Sequence, residues 1–64
     1  MLAEERMEEI VRLVQEYGSI TVQKLMEYTG ASESTLRRDL NALDKRGMLT
    51  KVHGGAIALE MNAV

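Results

Sequence analysis

Arg37 and Arg38 stand side by side in the run Ser32-Glu33-Ser34-Thr35-Leu36-Arg37-Arg38-Asp39-Leu40. A guanidinium is a planar fork of donors that can make two bonds at once to guanine O6 and N7 or to a phosphate. The hydroxyls of Ser32, Ser34 and Thr35 lie just upstream, and the Thr35 methyl suits contact with a thymine methyl. Asn41 and Lys45 follow at helical spacing, and Lys51 and His53 precede the consecutive glycines Gly54 and Gly55. Such groups grip a nucleic acid. They do not break bonds: no Walker-type phosphate loop and no nucleophile paired with a base is present. His53 is the only histidine and there is no cysteine, which excludes a disulfide, a thiolate metal site and a multi-histidine metal site. The chain is therefore not expected to be an enzyme, and no metal or cofactor is implied.

The elements that must position these groups can be read from periodicity. With Leu36 at the origin and about 100° per residue, Leu40 and Leu43 fall within about 40° of it and form a buried stripe. Ser34, Arg38, Asn41 and Lys45 fall on the opposite face, which holds no acid. Arg37 and Thr35 lie on the two flanks, and Asp39 sits beside the edge of the core stripe. Ser32 suits the N-cap of this helix, which should run to about Arg46, and Gly47 stops it.

Upstream, Ala3, Met7, Ile10, Leu13, Val14 and Tyr17 keep helical spacing, with Val11 widening the stripe, so a first helix is predicted over Ala3 to Tyr17 with Gly18 as its C-terminal cap. Ser19-Ile20-Thr21 reads as a strand stub. Thr21 can cap a second helix of about Val22 to Tyr28, whose apolar face is Val22, Leu25 and Met26. Only Gly30 and Ala31 then separate this helix from Ser32, so the two must turn sharply, as in a helix-turn-helix. After Gly47 the period changes to alternation at Leu49-Thr50-Lys51-Val52, a turn at His53-Gly54-Gly55, and a return strand from Ala56 to Leu59. A β-hairpin directly after a helix-turn-helix is a wing.

Sixty-four residues allow one domain, which buries only about 60% of its unfolded surface. Residues 1–59 are read as that domain and residues 60–64 as a frayed tail. The net charge of −2 argues mildly against a nucleic-acid partner, but the charge is uneven. Residues 1–20 carry five acids and two bases, a net of −3, whereas residues 31–55 carry five bases and three acids, a net of +2. Screening over about 8–10 Å lets a phosphate respond to the local basic face. The longest apolar run, Ala56 to Leu59, is far short of the roughly 18 residues of a membrane span, and acids occupy the place of a signal peptide's apolar region. The absence of cysteine suits a cytoplasmic setting.

These residues carry a family resemblance. Arg6, Ile10 and Val14, then Ser32, Thr35, Leu36, Arg37, Arg38, Asp39 and Leu40, fall at the spacing of the DeoR family of bacterial transcriptional regulators. Val52-His53-Gly54-Gly55-Ala56 matches the end of that family's wing, and Gly18, Thr21, Val22 and Leu25 also fit. The chain resembles the family's N-terminal DNA-binding domain over about residues 5–56. Leu36 in place of the usual Ile or Val, and Lys51 in place of a common Arg, are mild departures. The family's longer C-terminal domain, which senses a sugar phosphate and supports oligomerisation, has no counterpart in these 64 residues, so the chain reads as an isolated DNA-binding domain.

The resemblance implies a mainly α fold with a small β-hairpin, a winged helix-turn-helix of three helices plus wing. It also implies sequence-specific binding of double-stranded operator DNA, repression of a sugar-metabolism operon, and a homo-oligomeric full-length form from which this piece is monomeric. The DNA-contacting candidates are Thr21, Ser32, Ser34, Thr35, Arg37, Arg38, Asn41, Lys45, Lys51, His53, Gly54 and Gly55. Arg38 is the expected base reader and Arg37 a backbone or groove-edge contact. Each has a plainer alternative. The arginines could be a solvated pair, Ser32 only a cap, Thr35 bonded to its own backbone, and the glycines only a tight turn. Asp39 has the wrong charge for phosphate and is read as a brace paired with Arg6. The rival function is a winged-helix protein-interaction module, which the acidic balance suits.

Overall fold

The computed structural model describes residues 2–59. Three helices, α1 (Ala3–Tyr17), α2 (Val22–Thr29) and α3 (Glu33–Lys45), combine with three short strands, β1 (Ser19–Thr21), β2 (Thr50–Val52) and β3 (Gly55–Ile57). The fold is a winged helix-turn-helix, as the patterning predicts. The reading of residues 60–64 as a tail lies outside the described residues.

Each helix boundary has a chemical cause. The Glu5 carboxylate accepts from the Leu2 N–H at 3.1 Å at the start of α1, and Gly18, at φ +80°, closes its end by donating to the Val14 carbonyl at 2.8 Å. The Thr21 hydroxyl caps α2 by accepting from the Lys24 N–H at 3.1 Å, and Gly30 ends it in the left-handed region. The Ser32 hydroxyl caps α3 by accepting from the Thr35 N–H at 3.3 Å. The third helix ends at Lys45, one residue earlier than its periodicity suggests. Arg46 is its cap, and Gly47, at φ +74°, turns the chain.

The core is one cluster. Ile10, Leu13 and Val14 of α1 meet Val22 and Leu25 of α2, Leu36, Leu40 and Leu43 of α3, and Ile20, Leu49 and Ala56 from the sheet region. Met7, Val11 and Met26 pack against it, but Tyr17 does not complete the α1 stripe; it is about half exposed. Its hydroxyl instead lies 3.0 Å from that of Tyr28, with ring centroids 6.2 Å apart. Burying either phenol alone would leave a polar group to satisfy, and pairing them at the surface avoids that cost.

β3 is the central strand of an antiparallel sheet ordered β1-β3-β2. The wing is thereby stitched to the chain segment between α1 and α2. Ile20 lies opposite Ala56, which lies opposite Lys51. Cross-strand partners point to the same face of a sheet. Lys51 therefore rises on the side where Ile20 and Ala56 enter the core, the side that holds α3.

Candidate nucleic-acid interface

Asp39 is the only charged residue buried among the described residues, at 3% exposure. Arg6 of α1 grips it with both edges of the fork: Nε donates to Asp39 Oδ2, and Nη2 donates to Oδ1 at 3.1 Å. The bond to Asp39 raises the Arg6 pKa above its ordinary value against an opposing effect of desolvation. The brace foreseen between these two residues is thus present. It ties α3 to α1 and fixes the rotation of α3 about its axis, and with it the direction in which the opposite face points.

That opposite face is exposed. Ser34, Arg38, Asn41 and Lys45 are all open to solvent, and Arg38 and Lys45 make no ion pair among the described residues. Basic groups elsewhere are occupied. Arg12 bridges Glu9 at 2.6 Å and Glu16 at 2.9 Å along α1, and its hydrogen bond holds the Glu9 carboxyl below its usual pKa. Lys24 lies 3.8 Å from Glu27. Positive charge without an internal partner is therefore concentrated on α3, on Arg46 just beyond it, and on the wing.

The N-terminal turn of α3 is internally bonded. The Ser32 hydroxyl donates to Thr35 Oγ1 at 3.0 Å and lies 3.3 Å from Ser34 Oγ. Thr35 is half-buried, and its hydroxyl is bonded to the Ser32 hydroxyl, not to the backbone as its plainer alternative has it. Arg37 is also engaged: its Nε and Nη2 both donate to Glu33 Oε2, at 2.9 and 2.6 Å.

The wing approaches α3 closely. Arg37, Leu40, Lys51, Val52, His53 and Gly54 are among the residues that line one small cleft of about 40 Å³. The Gly54 carbonyl accepts from the Val22 N–H at 2.9 Å, so the wing turn is fastened to the first residue of α2. Thr21, exposed at that junction, stands next to the turn.

The two glycines of the turn have different reasons to be glycine. Gly54 adopts φ +83°, and it is exposed. Gly55, read from the sequence as part of the turn, does not have a positive φ and is buried within β3 opposite both Val52 and Thr21. A Cβ there would press into the Ile20 carbonyl oxygen and come within 3.0 Å of Thr21 Cα. Gly55 is needed for close approach of β3 to β1, and the turn proper is His53-Gly54.

Sequence reasoning missed two contributors. Thr29 donates its hydroxyl to the Leu25 carbonyl at 2.7 Å and accepts from the Ala31 N–H at 3.2 Å, which braces the turn between α2 and α3. Glu33 carries the ion pair to Arg37. A threonine three residues before an N-cap was a weak signal for the first, whereas the i,i+4 spacing of Glu33 and Arg37 was a readable signal for the second.

Residues 6–62 match the DeoR-like helix-turn-helix domain. The chain is 46% identical over 59 residues to FruR, an HTH-type transcriptional regulator of Bacillus subtilis, covering 92% of this chain and 24% of that protein. It is 46% identical over 56 residues to the lactose phosphotransferase system repressor of Streptococcus mutans, covering 88% of this chain and 22% of the relative. With the repressor of the same description from Staphylococcus aureus it shares 46% identity over 52 residues, or 81% and 21% of the two chains. The chain thus spans about a quarter or less of the length of these curated relatives. No solved structure matches it.

Proposed function

This chain belongs to the DeoR-like helix-turn-helix family, and from that premise we propose that it is the DNA-reading domain of a transcriptional repressor. The observation that carries the reading is the outward face of α3. It is free of acid, it bears an Arg38 with no ion-pair partner among the described residues, and the Arg6–Asp39 brace on its other side holds it in one orientation.

In this reading α3 lies in the major groove and Arg38 forks onto a base, with guanine as the best match. Ser34 and Thr35 reach base edges from the first turn, and the amide end of α3 at Ser32 meets a phosphate. Arg37, Lys51 and His53, which share the cleft between α3 and the wing, hold the backbone at the groove edge, with the exposed Gly54 letting the chain approach it. Asn41 and Lys45 touch the backbone where α3 leaves the groove, and Thr21 does so from the start of α2. Gly55 has no DNA contact in this account, because its burial against β1 already explains it.

The names of the relatives support repression, and those naming a lactose phosphotransferase system support a sugar-metabolism operon as the target. A longer protein containing this domain would sense a sugar phosphate and bind repeated or inverted half-sites as a homo-oligomer. The test is selection of bound sequences from a random duplex pool. A short enriched motif containing a guanine is the expected outcome. Recovery of no duplex even at low salt would instead favour the protein-interaction reading.

A further inference from the structure

Glu33 is the only acid in the first turn of α3, and its carboxylate is engaged with Arg37. Both side chains are a little over half exposed, so the pair adds little to the stability of the fold. Its geometry has another consequence. Nε and Nη2 of Arg37 converge on the single oxygen Oε2, which commits one edge of the guanidinium and leaves Nη1 with no hydrogen bond among the described residues. An arginine held in this way gives up its rotamer freedom before DNA arrives, so less is lost on docking. Arg37 also lines the small cleft that Lys51 and His53 share.

We propose that Glu33 is a specificity-determining residue that acts through Arg37. It restricts the Arg37 guanidinium to one pose, so that its phosphate contact forms fully only when α3 is seated in the correct register. Phosphate contacts carry no sequence information by themselves, but they fix register. A phosphate contact that requires one pose therefore sharpens readout made by other residues. This inference rests on the DNA-reading function proposed above.

The test is a double-mutant cycle on Glu33→Ala and Arg37→Ala, with affinities measured for a duplex enriched by selection and for a shuffled duplex of equal length. Freeing Arg37 should raise affinity for the shuffled duplex severalfold while changing affinity for the enriched duplex less, so the ratio of the two falls. The salt dependence on the shuffled duplex should steepen by about one unit of slope as Arg37 becomes free to neutralise a phosphate. Glu33→Gln, which keeps an acceptor without the charge, should fall between wild type and Glu33→Ala. In the Arg37→Ala background, Glu33→Ala should no longer change the ratio. The proposal is overturned if the ratio is unchanged in Glu33→Ala, or if its fall persists without Arg37. Failure of the wild-type domain to prefer any duplex would instead contradict the DNA-reading function itself. Far-UV circular dichroism confirms that each variant keeps its helices.

Discussion

Asp39 shows how much one residue can decide. It lies in a helix whose opposite face is the proposed DNA-reading surface, yet it is buried and gripped by Arg6 from another helix. Removing one partner of such a pair leaves the other charge uncompensated. Arg6→Ala and Asp39→Ala should therefore each destabilise the domain, and a double-mutant cycle on thermal unfolding should show strong coupling, whereas additive effects would mean that the residues act separately. Arg38 has the opposite character: it is exposed, and its side chain makes no hydrogen bond or ion pair among the described residues. Its change to Ala should leave the melting temperature nearly unchanged. It should cost about 1–3 kcal/mol on a selected duplex and flatten base preference at one position, checked by titrating single-base variants. Tyr17 provides an internal reporter. The hydrogen bond to Tyr28 raises its pKa above the ordinary 10.0, so the interaction is intact below that value and lost as pH rises through the folded pKa. Tyrosinate absorbance should show this late ionisation, and Tyr28→Phe should move it back down; an unchanged Tyr17 titration would contradict the pairing.

At the level of elements, the helices were readable because their signals are local. The stripe of Leu36, Leu40 and Leu43, the cap at Ser32 and the stops at Gly18 and Gly30 all lie within a few residues of what they determine. The outward face of α3 followed directly from its buried one. Non-local placement was less legible. That β1 pairs with β3, placing β3 at the centre of the sheet, depends on residues nearly forty positions apart, and it is this pairing that makes Gly55 a packing residue instead of a turn residue. The Tyr17–Tyr28 contact was hidden for the same reason, since a tyrosine on an apolar stripe reads as core. Gly55→Ala should thus destabilise the wing by about 1–3 kcal/mol through overpacking, visible in denaturant unfolding. Ser32→Ala should cost about 1 kcal/mol for the lost cap.

For the whole molecule, the balance of charge matters more than its total. The acids of α1 occupy Arg12, Arg6 is committed to Asp39 and Arg37 to Glu33, while Arg38, Lys45, Arg46 and Lys51 have no ion-pair partner among the described residues. A net charge of −2 should hold non-specific affinity down without preventing docking of the basic face. The most direct test of DNA reading by this face is titration of the intact domain with a selected duplex and its shuffled counterpart between 50 and 200 mM salt. Three or four phosphate contacts predict a log–log slope of roughly −2.7 to −3.6 and an affinity loss of roughly 40- to 150-fold over that range, with the selected duplex bound more tightly throughout. A slope near zero, or equal affinity for both duplexes at every salt concentration, would contradict the account.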